Sequence, residues 1–295
     1  MTTFVSLNAG GATARIAPDW GARITACTLE DAHGARQAVL HPYPESEAHR
    51  PDHWGKGGLY PLVPFSGRIR DARLRRPDGD RTLVPHPGDA HALHGIAQRR
   101  PWEVVSATDR RAVLQYRHAP DAHWPWAFDA GMVVQLEPHQ LRVDISLTNR
   151  SEEPMPAGIG LHPYLPGAMP LHIAYDAAAA WPTDADFLAL PTPPAEAIHT
   201  HGLGGSDFAG RDCTVFHPRW QQRATVQGIT GTAIDLRAEG ALDQLIVHRP
   251  PDGPYVCLEP VSHMPDAFNL HDVPGTGTRE LRPQGRLAGG LVLSI

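Results

Sequence analysis

Apolar and polar residues alternate in short runs along this chain, each bounded by Gly, Pro or Asp, and no stretch sustains a 3.6-residue period. A period of two belongs to strands that turn one face to a core, so the pattern predicts a mostly β protein. Residues 102–108 and 111–117 flank Asp109-Arg110 and read as a hairpin. Residues 131–136 and 141–147 flank Glu137-Pro138-His139-Gln140 and read as another, so an antiparallel meander is expected. Its last strand ends at Thr148-Asn149-Arg150, crosses a turn over 151–156 and leads into Gly158. Further strand-length runs lie at 224–227, 232–236, 244–248 and 255–258. Four alanines, 177–180, are the one hint of helix and are too few to nucleate it alone. Residues 182–205 read as a long Pro-rich loop, a length that often accompanies function or flexibility.

Composition narrows the class. With 295 residues, 41% of them hydrophobic, the chain can bury a large core, and with no internal linker residues 1–295 are expected to form a single domain. A net charge of −6 spread without a basic block argues against nucleic acid, and no apolar or amphipathic basic stretch suits a membrane. The start, Met1-Thr2-Thr3-Phe4-Val5, lacks a charged and apolar leader, so a cytoplasmic protein with small, non-polyanionic partners is expected. Cys27, Cys213 and Cys257 are far apart without Cys-x-x-Cys spacing and are expected to be buried free thiols.

Four stretches carry candidate chemistry. In Gly158-Ile159-Gly160-Leu161-His162-Pro163-Tyr164-Leu165 the glycines permit close approach to the main chain, and Pro163 holds His162 extended. An imidazole on such a support can act as a general acid. Leu40-His41-Pro42-Tyr43 repeats the tetrapeptide in a loop-like context without the preceding glycines and serves as its internal control. Val256-Cys257-Leu258-Glu259-Pro260 reads as an apolar strand ending on a carboxylate, a group that burial would turn into a general base. Pro265-Asp266-Ala267-Phe268-Asn269 follows with turn-forming and polar residues suited to ordering a ligand or capping a loop. His91-Ala92-Leu93-His94-Gly95 is a weak metal signal without a third ligand, and no cofactor or metal is expected. Arg68, after Pro64-Phe65-Ser66-Gly67, and His94 suit hydrogen bonding to hydroxyl groups better.

Taken in order, Pro61-Leu62-Val63-Pro64-Phe65, His94-Gly95, Asn149, Gly160-Leu161-His162-Pro163-Tyr164, Leu258-Glu259-Pro260 and Pro265-Asp266-Ala267-Phe268-Asn269 resemble the aldose 1-epimerase (galactose mutarotase) family. The resemblance implies an all-β, large antiparallel β-sandwich, and a cofactor-free isomerase that interconverts the α and β anomers of free sugars. It further implies His162 as general acid, Glu259 as general base, and Arg68, His94, Asp207 and Gln244 as substrate-binding residues. His41 matches nothing functional. Where the family usually has Asn before the arginine this chain has Gly67, which bears on which sugar is accepted.

The residues suffice for the reaction, since opening a hemiacetal needs a base at the C1 hydroxyl and an acid at the ring oxygen. A carboxylate and an imidazole near their ordinary values predict a rate plateau at roughly pH 5 to 7. Arg70, Arg73, Arg75 and Arg76 keep open a hexose-6-phosphate mutarotase, and loss of catalysis would leave a sugar-binding β-sandwich. The expected partner is a small sugar, and the chain a monomer or homodimer.

Overall fold

The computed structural model describes residues 3–45, 50, 55–208, 210, 212–228, 231–251 and 253–295. The predicted alternation appears most regularly in Phe128–Glu137 and Gln140–Asn149, where every second side chain is buried and the intervening ones are partly exposed. They pair as a hairpin across Pro138-His139, and Glu103–Ala107 pairs with Arg111–His118 where the first hairpin was expected. Among the described residues these strands belong to a nine-stranded antiparallel sheet that continues through Arg286–Ser294, Ile234–Gly240, Trp220–Gln227 and His172–Ala178 to an edge at Ile198–Gly204. The chain expected to hint at helix is therefore strand at Ala177 and Ala178, and the long loop contains the edge strand.

A second nine-stranded sheet runs Val5–Ala9, Ala12–Ala17, Arg23–Glu30, Leu59–Leu62, Gly160–Pro166, Tyr255–Val261, Gln244–Arg249 and Cys213–His217, with Arg36–Ala38 attached to Arg23–Glu30. The two sheets pack face to face. Leu7, Ala14 and Ile16 from one and Met132, Val134, Val143 and Ile145 from the other belong to the same buried cluster, which makes the molecule an antiparallel β-sandwich.

Three central strands break the alternation. Leu59–Leu62, Gly160–Pro166 and Tyr255–Val261 are buried on both faces, apart from Pro166. Their second face, continued by Gln244–Arg249 and Cys213–His217, carries a smaller cluster of Tyr60, Tyr164, Phe216, Ile246 and Cys257 that loops cover from outside. Glu259 therefore does not end its strand, as the sequence suggested. The strand continues through Pro260 to Val261, because Glu259 is accommodated on this covered outer face rather than released to water.

Candidate active site

The site begins as one transverse row across the second sheet. Tyr60 lies opposite His162, and the register pairing Tyr164 with Cys257 and Gly160 with Val261 sets His162 beside Glu259, itself opposite Ile246. His162 Nε2 stands 3.2 Å from Glu259 Oε1, with both residues almost wholly buried. Two aromatic rings pack against the imidazole at small interplanar angles, Tyr60 from the neighbouring strand at 4.7 Å and 26° and Tyr164 along its own strand at 4.7 Å and 13°. Such packing restricts the ring plane, with Nε2 turned to Glu259 and Nδ1 buried without a partner among the described residues. The two motif glycines admit protein groups rather than ligand. A Cβ on Gly158 would lie 2.2 Å from the His263 ring, and one on Gly160 would lie 2.9 Å from Val261.

The covering loops bring two more of the expected residues. His94 adopts φ of 58°, an uncommon conformation for a residue with a side chain, and is tied there by its N–H to Gly67 O at 2.9 Å. In return, Gly67 N–H donates to His94 Nδ1 at 3.1 Å, which places the proton of the neutral ring on Nε2. The preceding amide, Ser66 N–H, donates to His263 Nε2 at 3.1 Å, while His263 Nδ1–H donates to Met264 O at 2.8 Å. Two histidines thus grip consecutive amides just before Arg68, whose Nε donates to Asp89 Oδ2 at 3.0 Å. Gly67 has φ of 62°, a left-handed conformation that Gly and Asn both adopt, so the Gly67 departure keeps the backbone and removes only the amide group. Asp266 and Asn269 cap this segment: Asp266 Oδ1 accepts Arg70 N–H at 3.0 Å and Asn269 Oδ1 accepts Arg75 N–H at 2.7 Å.

His162, Glu259, Arg68 and His94 line one cavity of about 240 Å³, the scale of a monosaccharide. Asp207 and Gln244 do not line it. The Asp207 carboxylate instead accepts Gly204 N–H at 3.1 Å and caps the one-turn helix Gly205–Asp207. Gln244 shares the face of Ile246, but its amide is drawn away to donate to Gly275 O at 3.1 Å. His41 also lies elsewhere, its ring against Tyr255 and its N–H on Tyr164 O. Lys56, Asp212, Thr214 and His248 join the lining instead. Thr214 Oγ1–H donates to Asp212 Oδ1 and accepts from His248 Nδ1–H at 2.8 Å. Strand parity could have revealed this wall, since Thr214 and Phe216 alternate along Cys213–His217 directly after Asp212. Lys56 lies beside two glycines with no pattern to mark it.

Lost hydration dominates the electrostatics. Burial raises the Glu259 carboxyl to about 8, with the Lys56 ammonium opposing the rise. Burial also holds the His162 imidazole well below its ordinary value, helped by His94 and Lys56, and His94 is held down in the same way by burial and then by Arg68. Lys56 is exposed along much of its length, yet its ammonium loses enough hydration to fall to about 8. Near neutral pH, His162 and Glu259 therefore share one proton between them, and at rest it sits on the carboxyl. Cys257 lies close enough that His162, Cys257 and Glu259 place donor atoms within 4.8 Å of one another. Burial and the Glu259 charge push its thiol well up, so it stays protonated beside the pair. Cys27 is likewise buried and free, whereas Cys213, expected to be buried, is partly exposed.

The comparisons with known proteins agree with this architecture. The family model for aldose 1-epimerase matches residues 3–290. The chain is 32% identical over 123 residues to the uncharacterized protein YphB of Escherichia coli K12, a match covering 41% of each chain. Among solved structures it resembles a galactose mutarotase-like protein from Clostridium acetobutylicum at a TM-score of 0.77 and 18% identity, covering 98% of this chain and 93% of that one. A GalM/aldose epimerase homologue from C. elegans gives 0.75 at 18% identity, covering 100% and 98%. No helix among the described residues is long and apolar enough to cross a membrane.

Proposed function

Because the chain belongs to the aldose 1-epimerase family, we propose that it interconverts the α and β anomers of a free aldose, with His162 as general acid and Glu259 as general base. The observation that carries this reading is the 3.2 Å contact between the two groups at the floor of a sugar-sized cavity. The hydroxyl oxygen and the ring oxygen are both bonded to C1, so two groups this close can serve both. Ionised Glu259 takes the proton of the C1 hydroxyl while protonated His162 gives one to the ring oxygen. The bond from C1 to the ring oxygen breaks and a carbonyl forms at C1. Rotation about C1–C2 presents the other carbonyl face. The ring hydroxyl then attacks, returning its proton to His162, and Glu259 returns the other to the C1 oxygen.

His94, with its proton on Nε2, and the Arg68 guanidinium supply donors to sugar oxygens, and Asp212 with His248 forms a polar wall opposite. A free sugar fits better than a phosphorylated one. Arg70 is bound by Asp184 and Asp266, Arg73 by Asp80 and Arg76 by Glu280, and none of the three lines the cavity. The test is NMR or polarimetry on freshly dissolved α-glucose, α-galactose, arabinose and glucose 6-phosphate. Accelerated equilibration of at least one free aldose is expected, and spontaneous rates for all of them would overturn the reading.

A further inference from the structure

Arg23, at the start of Arg23–Glu30, is only 2% exposed. Its Nη1 donates to Gly57 O at 2.6 Å, and among the described residues its Nε has no partner and no carboxylate pairs with it. The charge lies instead over two aromatic faces, with Cζ 4.6 Å from the Tyr43 ring centroid and 4.3 Å from that of Tyr60. Buried arginines normally come with a carboxylate, so an unpaired one calls for a reason beyond packing. Its place in the sheet supplies one. Ile24 is opposite Leu59, which sets Arg23 next to Tyr60 at the head of the row that continues through His162 to Glu259. Cation, tyrosine, imidazole and carboxyl follow one another across four neighbouring strands.

We propose that Arg23 is a positioning residue of the acid–base pair: its charge, presented through the face of Tyr60, adds to burial in keeping the imidazole neutral at rest and makes its protonated form a stronger acid. The kinetic consequence rests on the mutarotase reading above; the electrostatic effect does not. When the proton is on His162 and Glu259 is ionised, the positive end of that pair points at Arg23. Transfer of the proton to a sugar's ring oxygen relieves the repulsion, so the buried cation strengthens the acid once it has formed while making that form rarer at rest. The guanidinium carbon lies at most about 9 Å from the imidazole centre, where a unit charge in an effective dielectric of about 20 moves a proton equilibrium by about one pH unit.

Other groups also face His162. Glu259 and Cys257 do so from the neighbouring strand, Tyr164 from two residues along the same strand and His94 edge-on at 5.4 Å. Lys56 and His248 do so across the cavity, and both, as cations, oppose protonation of the ring. Arg23 differs from these in lying behind Tyr60, outside the cavity lining, so its removal changes the field without removing a contact to substrate.

The test follows His162 ring carbon and nitrogen shifts by NMR from pH 6 to 10 in the ligand-free protein, with the signals assigned by their loss in His162→Gln. The ring senses the pair's last proton leaving, in the wild type near the carboxyl's value of about 8. Arg23→Gln, which keeps a planar donor toward Gly57, is expected to raise this midpoint by roughly one pH unit, and Arg23→Lys to bring it back within a few tenths. An unchanged midpoint in folded Arg23→Gln overturns the proposal. Should that variant fail to fold, Arg23→Lys decides: a midpoint near the wild type supports the charge, and one raised by a unit although the charge is kept overturns it. A wild type that shows this titration but leaves every sugar at its spontaneous rate refutes the mutarotase reading and not this one.

Discussion

At the residue scale, burial reverses the assignment that ordinary side-chain values suggest. An exposed carboxylate and imidazole would ionise in the order that places the alkaline limit on histidine. Here the carboxyl is raised to about 8 and the imidazole lowered, so the alkaline limit belongs to Glu259. The expected plateau of roughly pH 5 to 7 is thereby extended upward. We expect kcat/KM to fall above about pH 8 and Glu259→Gln to remove that limb from whatever rate remains, measured by polarimetry with the spontaneous rate subtracted. The repeated tetrapeptide gives a sharper comparison. His162→Gln should lower kcat/KM by about 10² to 10⁴-fold, whereas His41→Ala, whose ring packs on Tyr255 outside the cavity, should stay within about threefold. Equal losses in the two variants would refute the assignment.

The elements matter because neighbouring strands and loops lend each other space. The strand entry at Gly158 is shaped by His263, which in turn holds the Ser66 amide ahead of Gly67 and Arg68. Gly158→Ala would force a methyl carbon to 2.2 Å from an imidazole that is itself pinned by two hydrogen bonds. Denaturant unfolding should show a loss of roughly 1 to 3 kcal/mol, the usual range for overpacking a filled interior. Because the ring must shift, the loop it holds shifts too, and KM should rise by more than kcat falls. A variant with unchanged stability would mean that the strand relaxes instead.

Over the whole molecule, buried neutral histidines couple the fold to pH. His217 and His263 are lowered to about 4 by burial, and His94 and His162 are held well below their ordinary value for the same reason. In the unfolded chain each takes up a proton near pH 6.5, so below that value the unfolded state binds more protons and stability falls as pH falls. His217 and His263 each account for a loss on the order of 1 to 3 kcal/mol by pH 4, and His94 and His162 act in the same direction. Glu259 acts in the opposite sense: folded, it keeps a proton that the unfolded chain has released, so its burial costs stability increasingly as pH rises from 4.5 to about 8. Thermal melts should therefore show Tm dropping steeply below about pH 6, and Glu259→Gln should gain on the wild type between pH 5 and 8. A flat Tm from pH 4 to 7 would contradict the buried neutral state of these histidines.

The sequence by itself determined the β class, both hairpins and the candidate acid and base, because each depends on information within a few residues. Alternation declares a strand, Pro163 declares an extended His162, and a Glu inside an apolar run declares a buried carboxylate. Tertiary structure alone decided the rest. Glu259 continues its strand because loops distant in sequence close over that face, and Asp207 falls outside the cavity because its carboxylate is taken by Gly204. Asp212 and His248 reach the cavity from segments that sheet order makes neighbours, and Lys56 reaches it from ahead of Leu59–Leu62, with two strands between. Arg23 reads in the chain as an ordinary charged residue. Only strand register, which pairing across long chain separations sets, places it behind Tyr60 in line with His162 and Glu259.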